Sequence, residues 1–208
     1  DLPGVIIDEG LSRFYPYQEM FAHVIGYVSA VSETDVKDEP LLEVPGFKIG
    51  KSGIERLYEK ELRGKSGNLK LEVNALGRIM KEIERVDGIP GNRIDLSLDL
   101  RLQQKAYELL GEESGAIVMI KVDTGEILAF ASAPSFDPNM FTGGLSVEDW
   151  KMLSSDEKKP LLNKAVSGLY SPGSTFKMVV ALAGLESGLI ARQTRSFCAG
   201  KMSLGNHL

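Results

Sequence analysis

Apolar and polar positions alternate along two short stretches of this chain and recur at helical spacing along several others. Leu69, Leu71 and Val73 alternate with Lys70 and Glu72, and Ile94, Leu96 and Leu98 alternate with Asp95, Ser97 and Asp99. Each stretch reads as a half-buried strand, because successive side chains of a strand point to opposite faces. Residues 115–122 and 126–132 are denser apolar runs joined by Asp123-Thr124-Gly125, a turn chemistry that predicts a hairpin and therefore antiparallel strands. Val5-Ile6-Ile7 and residues 24–31 are apolar enough for buried strands or a short helix, which periodicity does not separate.

Helical spacing appears first in Ile54, Leu57, Tyr58 and Leu62, a face closed by Gly64 and preceded by Ser52 and Glu55 at capping-box spacing. Asp99 is placed to cap a helix bearing Leu102, Ala106, Leu109 and Leu110 and ended by Gly111. Ser146-Val147-Glu148-Asp149 opens another, with Trp150 and Leu153 as its buried face. The last is the apolar run Met178 to Leu185, with Ser171 as cap, Pro172 at the first helical position and Gly188 as the stop. Residues 32–45 are polar and acidic and end in Pro45, which reads as an exposed loop, and residues 191–208 read as irregular.

Short strands and short helices mixed in this way define an α+β fold. The 208 residues suffice for one large or two ordinary domains. The turn Pro90-Gly91-Asn92 leads toward a boundary after Gly111, which makes residues 1–111 one module and 112–208 a second. With 43% hydrophobic and 25% charged residues the chain can bury a core. A net charge of -5 and a pI of about 5.2 argue against a nucleic-acid partner. The single Cys198 excludes an internal disulfide framework and leaves the compartment open. No apolar run approaches the roughly 18 residues that cross a bilayer, and the amino terminus lacks the basic-then-apolar layout of a signal peptide.

Chemistry concentrates in Tyr170-Ser171-Pro172-Gly173-Ser174-Thr175-Phe176-Lys177. Residues three apart are neighbours on a helix, so Ser174 and Lys177 share a face at its start. A hydroxyl is a poor nucleophile without a neighbouring base, which makes Ser174 the candidate nucleophile and Lys177 the candidate base. The positive end of the helix and partial burial of the amine both serve that transfer. A second Ser-x-x-Lys, Ser155-Asp156-Glu157-Lys158, lies in a charged run before Pro160 and reads as a solvated turn. His23 has no triad or metal partner beside it and reads as structural, and Cys198 with His207 supplies two ligand types but not a zinc site.

The Pro-Gly-Ser-Thr-Phe-Lys core, its lead Asn163-Lys164-Ala165-Val166-Ser167-Gly168-Leu169-Tyr170, and Pro134-Ser135-Phe136-Asp137-Pro138-Asn139 resemble the active-site entry of class B penicillin-binding proteins. Arg13-Phe14-Tyr15-Pro16, Ala22-His23-Val24-Ile25-Gly26-Tyr27-Val28 and Glu72-Val73-Asn74-Ala75-Leu76-Gly77-Arg78 resemble the non-catalytic pedestal of the elongation type, so the likeness covers essentially the whole chain. Ser171 departs from the family, which usually carries a second Pro there. The resemblance implies an elongated pedestal of dimerisation type over 1–111. Over 112–208 it implies the first part of a transpeptidase domain, whose antiparallel sheet begins with the 115–132 hairpin and supports the nucleophile's helix.

The implied activity is peptidoglycan D,D-transpeptidation, in which Ser174 attacks a D-Ala-D-Ala stem peptide, expels D-Ala and yields the acyl group to a second stem. β-Lactams would acylate the same Ser174, and no cofactor or metal is implied. The implied partners are stem peptides, β-lactams and cell-wall elongation proteins that include a membrane glycosyltransferase. The implied location is the outer, periplasmic face of the bacterial cytoplasmic membrane, held by an amino-terminal anchor ahead of Asp1. The family order is Ser-x-x-Lys, then Ser-x-Asn, then Lys-Ser/Thr-Gly. Lys51-Ser52-Gly53, Lys65-Ser66-Gly67 and Ser66-Gly67-Asn68 all precede Ser174, so none is expected to be catalytic. A truncated chain without the later motifs is expected to react slowly, each missing oxyanion donor costing about two to three orders of magnitude. A pedestal acting as an interaction module, a β-lactam sensor and a division-type enzyme are the alternatives. The long pedestal weighs against the sensor, and the segments around His23 and Lys48 weigh against the division type.

Overall fold

Gly26 decides how the first apolar run folds. In the computed structural model, which describes residues 12–32 and 46–200 with the single positions Asp35, Leu42 and Val44 between them, the 24–31 run is split. Helix α1 (Ala22–Ile25) ends at Gly26, which takes φ +79, and strand β1 (Val28–Ala30) follows. A Cβ at Gly26 would stand 2.0 Å from the Ser52 carbonyl oxygen, so only glycine admits this close turn. Val5-Ile6-Ile7, His207 and most of the 32–45 loop lie outside the described residues.

The chain divides into two compact units after Gly168. In the first, β1 pairs antiparallel with β2 (Lys48–Gly50), Ser29 opposite Ile49. Helices α2 (Gly53–Leu57) and α3 (Glu59–Arg63) replace the single helix expected over 54–62, because Tyr58 leaves the helical region with φ -112 and ψ 30. The capping box is absent as well. Ser52 holds the N-cap position with no side-chain hydrogen bond, and Glu55 turns inward to Arg13 and Tyr15. Strands β3 (Asn68–Val73) and β4 (Ile79–Val86) form an exposed hairpin, Leu69 opposite Arg85 and Val73 opposite Ile79. Its turn is held by Asn74 Oδ1, which accepts from the N–H of Leu76 at 2.9 Å and of Arg78 at 3.0 Å.

The strand expected at Ile94, Leu96 and Leu98 joins no ladder. Among the described residues it is tied at its end, where the Ser97 side chain donates from Oγ to Ile127 O at 2.8 Å and the Asp99 N–H donates to Leu128 O at 2.9 Å. Helix α4 (Leu100–Leu110) follows, capped by Asp99 Oδ1 on the N–H groups of Arg101 and Leu102. Strands β5 (Gly115–Ile120) and β6 (Ile127–Ala133) are the expected antiparallel hairpin, Ala116 opposite Ser132. Ala106 of α4 meets Ala129 and Ala131 of β6, and these small residues let helix and sheet approach closely.

Helix α5 (Asn139–Thr142), α6 (Val147–Ser155) and α7 (Lys164–Ser167) complete the unit. A second core cluster joins Ala22 to Phe136, Phe141 and Leu153, with Tyr27 stacked on Phe141 at 4.0 Å between ring centroids. Ser146 caps α6 as expected, and Leu153 is buried, but Trp150 is 51% exposed. Helix α6 enters the core through Leu153 alone, and Trp150 sits about 60° around the helix from it.

The second unit contains a 3-10 turn (Gly173–Phe176) that runs directly into α8 (Lys177–Glu186), then irregular chain to residue 200. Helix α8 ends at Ser187 and Gly188, as its sequence predicts.

Candidate active site

Ser174 lies inside the 3-10 turn rather than in the first turn of an α-helix. Pro172 occupies the N-cap position with αR dihedrals, so the Ser171 cap and the first-position Pro are replaced by a tighter entry. Gly173 takes φ +53, a conformation that strains any residue with a side chain, and this explains a glycine immediately before the nucleophile candidate. Thr175 closes the turn, its N–H and its Oγ1 both donating to Pro172 O, at 3.2 and 2.6 Å. The N–H of Lys177 donates to Ser174 O.

These bonds spend the acceptors and leave the donors. Among the described residues the Ser174 N–H, the Ser174 hydroxyl and the Lys177 amine have no hydrogen-bond partner. Unpaired N–H groups at a helix start face developing negative charge. Side chains at i and i+3 stack over one another in 3-10 geometry, which brings the hydroxyl of Ser174 and the amine of Lys177 to one side of the turn. Lys177 is exposed, however, and the partial burial expected for it is absent among residues 169–200. Its helix is apolar nearly all round yet uncovered, Leu182 being 62% exposed.

The other sequence candidates separate from this site. Ser155 ends α6 and bonds its own helix at Lys151 O, while Lys158 Nζ donates to Glu112 O at 2.7 Å, so the second Ser-x-x-Lys is a surface turn. Lys51 pairs with Asp35, whose carboxyl is held below the usual range by the hydrogen bonds from Lys51 and Ser32. Lys65 is taken up in a bridge with Ile89. Cys198 is exposed, and no group of three potential metal ligands occurs among the described residues.

His23 is structural. Its ring stands edge-on to Phe136 at 5.3 Å, and burial first, then the charge of Lys164, pushes its pKa down to about 4.

Five polar side chains whose partners the sequence patterns did not name tie the first unit together. Glu55, 5% exposed, meets Arg13 Nε at 2.8 Å and accepts from Tyr15 Oη at 3.3 Å. Tyr15 Oη in turn accepts from the Val28 N–H at 3.0 Å, and burial with the neighbouring Glu55 charge pushes its pKa up. The Asn139 side chain exchanges two 2.9 Å hydrogen bonds with the Tyr15 backbone. Gln103 and Lys164 are buried too, Gln103 bonded to the carbonyls of Met20 and Phe130 and Lys164 to those of Pro134 and the nearer Lys159. Local sequence does not name a partner more than 20 residues away.

The turn, the helix behind it and the tied amino-terminal module together define a class. Residues 1–96 match the penicillin-binding protein dimerisation domain and residues 115–207 the penicillin-binding protein transpeptidase domain. The chain belongs to the penicillin-binding proteins that join these two domains. It is 41% identical over 203 residues to the peptidoglycan D,D-transpeptidase MrdA of Escherichia coli K12, a match covering 95% of this chain and 32% of that protein. Penicillin-binding protein 3 of Bacillus subtilis is 37% identical over 201 residues, covering 96% and 29%. Among solved structures, Pseudomonas aeruginosa PBP2 in complex with WCK 5153 superposes with a TM-score of 0.75 at 39% identity, over 97% of this chain and 40% of that one. The Helicobacter pylori PBP2 complex with MreC gives a TM-score of 0.74 at 39% identity, over 88% and 34%. The chain spans about a third of the length of the curated relatives it matches.

Proposed function

We propose that this protein is a peptidoglycan D,D-transpeptidase of the elongation type, with Ser174 as nucleophile and Lys177 as base. The observation that carries the reading is the Ser174-Thr175-Phe176-Lys177 turn. Among the described residues its hydroxyl, its amine and one backbone N–H are without partners at the start of an apolar helix, within the segment matching the transpeptidase domain.

Lys177 Nζ takes the proton of Ser174 Oγ as Oγ bonds to the penultimate D-Ala carbonyl carbon of a stem peptide. The carbonyl oxygen becomes an oxyanion that the Ser174 N–H is placed to receive. Collapse breaks the peptide bond, the terminal D-Ala amine takes the proton from Lys177, and an acyl-serine ester remains. An amine from a neighbouring stem then attacks the ester and regenerates Ser174. A β-lactam enters by the same attack, its ring amide opening onto Ser174.

The module boundary lies after Gly111, with a pedestal over 1–111 and the transpeptidase part from 112. The similarity to a PBP2 solved with MreC supports cell-wall elongation proteins as the class of partner; a membrane glycosyltransferase among them and the pedestal as their docking part belong to the proposal. The proposed location is the outer face of the cytoplasmic membrane, in keeping with the similarity to the peptidoglycan D,D-transpeptidase MrdA. No helix among the described residues is long and apolar enough to cross a membrane.

Labelling of the native protein with a fluorescent penicillin tests the assignment. One label per chain on Ser174, found by peptide mapping and abolished by Ser174→Ala, is the expected outcome. A Ser174→Ala variant that still takes the label covalently removes Ser174 as nucleophile.

A further inference from the structure

A cavity of about 420 Å³ lies within the first unit, and every residue of its wall belongs to that unit. The wall is mostly apolar, with Ile54 and Leu57 from α2, Leu98 from the extended segment before α4, Phe130 from β6 and Val166 from α7. Its volume falls in the range of small-molecule sites, which combine an apolar lining with a few convergent polar groups. Three polar side chains break this lining: His23, Ser97 and Asn163. Ser97 is already committed, its Oγ donating to Ile127 O.

The other two carry unmet hydrogen bonds. Asn163 Nδ2 donates to His23 O at 3.2 Å, which fixes the orientation of the amide, since turned over it would set Oδ1 against a carbonyl oxygen. Asn163 Oδ1 is then buried without a partner among the described residues, and so is His23 Nε2. Buried polar atoms are nearly always paired, so two orphans on the wall of one cavity call for a polar group inside it. The wall also restricts the charge of that group. Burial first, then the charge of Lys164, keeps the imidazole neutral, and the same ammonium repels a cation. A carboxylate brings no donor to Asn163 Oδ1. A primary amide brings an N–H for Oδ1, and its N–H or its carbonyl meets His23 Nε2 in either imidazole tautomer.

We propose that this cavity is a binding site for an uncharged amphiphile whose head donates a hydrogen bond. Asn163 Oδ1 and His23 Nε2 hold the head, and Leu57, Leu98 and Phe130 receive the apolar body. The site is separate from the acylation chemistry and does not depend on Ser174 being the nucleophile. A head that lacks the donor leaves Asn163 Oδ1 buried and unpaired, and that penalty makes the site selective rather than merely greasy.

The test is a pair of titrations of the native protein followed by NMR, with hexanamide and with 2-heptanone, which replaces the amide NH2 by a methyl group of similar size. The sequence holds 2 His, so the His23 imidazole signals need separating only from those of His207. Hexanamide should bind at about 1 mM or tighter and shift the His23 imidazole, and 2-heptanone should bind at least about fivefold more weakly. Hexylamine, a cation of the same length, should also bind more weakly than the amide. In Asn163→Leu, which removes the orphan acceptor, amide and ketone should come within about twofold of each other. Should that variant fail to fold, the amide-to-ketone ratio and the His23 shift in the native protein decide alone. Equal binding of amide and ketone, or no saturable binding of either up to about 20 mM, overturns the proposal. So does an amide preference that survives intact in folded Asn163→Leu.

Discussion

Gln103 offers a direct test of how the first unit is held together. It is 0% exposed on the inner face of α4. Its Nε2 donates to Met20 O at 2.7 Å and Phe130 O at 3.0 Å, and its Oε1 accepts from the Phe130 N–H at 2.7 Å. The backbone of Phe130 is thus bonded by a side chain as if by another strand, and the same amide holds the end of the 3-10 turn Gln18–Met20. Gln103→Leu preserves volume and removes all three bonds. Each is worth about 1 kcal/mol net, and the stranded N–H and carbonyls add to the loss, while the more apolar side chain returns part of it. We expect about 3 kcal/mol of destabilisation. For a chain of this size that is a fall of about 6–12 °C in melting temperature, measured by circular dichroism or scanning calorimetry. Gln103→Glu keeps the acceptor but sets a carboxylate against two carbonyls, so at neutral pH it should melt lower still. A Gln103→Leu protein melting within about 3 °C of the original would mean that water or local relaxation satisfies these groups, and the argument would fail.

Two further perturbations follow from the same structure. His23 has its pKa lowered from 6.5 to about 4 by burial and by Lys164. The unfolded chain therefore binds more protons between those values, and the His23 contribution to stability is complete above pH 6.5 and is lost as pH falls toward 4. The loss is on the order of 2–3 kcal/mol. Urea midpoints at pH 7 and pH 4.5 should converge when His23→Gln is compared with the native protein, and an unaltered pH dependence in that variant would refute the assignment. Asp99 accepts from two N–H groups at the start of α4, so Asp99→Ala should cost about 1 kcal/mol, read as a lower urea midpoint with unchanged slope.

What the chain's residue pattern told correctly was local. The 115–133 hairpin follows from Asp123-Thr124-Gly125 between two apolar runs, and the Asp99 and Ser146 caps follow from side chains reaching N–H groups two or three residues away. The helix stop at Gly188 is of the same kind. The misses share a cause too. Glu55 stood at capping distance from Ser52 but found Arg13 and Tyr15, about 40 positions earlier, and a buried carboxylate with two such partners outweighs an exposed cap. The alternation at Ile94, Leu96 and Leu98 marked an extended backbone, yet pairing needs a neighbour that offers its own groups, and only Ser97 and Asp99 found one.

The candidate site divides along the same line. Ser174 and Lys177 could be proposed from sequence because three residues of spacing and a Pro-Gly entry are properties of a single turn, and the likeness to penicillin-binding proteins added a chemistry to that turn. Folding supplied the rest. It set the nucleophile candidate in a 3-10 turn, left its N–H without a partner among the described residues, and tied Lys164, Gln103 and Asn139 to carbonyls or backbone 27 to 124 positions away. Hydrogen bonds between residues two to four apart are offered by the covalent chain, so sequence decides them wherever no remote partner competes, as Arg13 and Tyr15 do for Glu55. Hydrogen bonds across the molecule exist only once apolar burial has brought remote segments together, and for that reason the tertiary structure alone decided them.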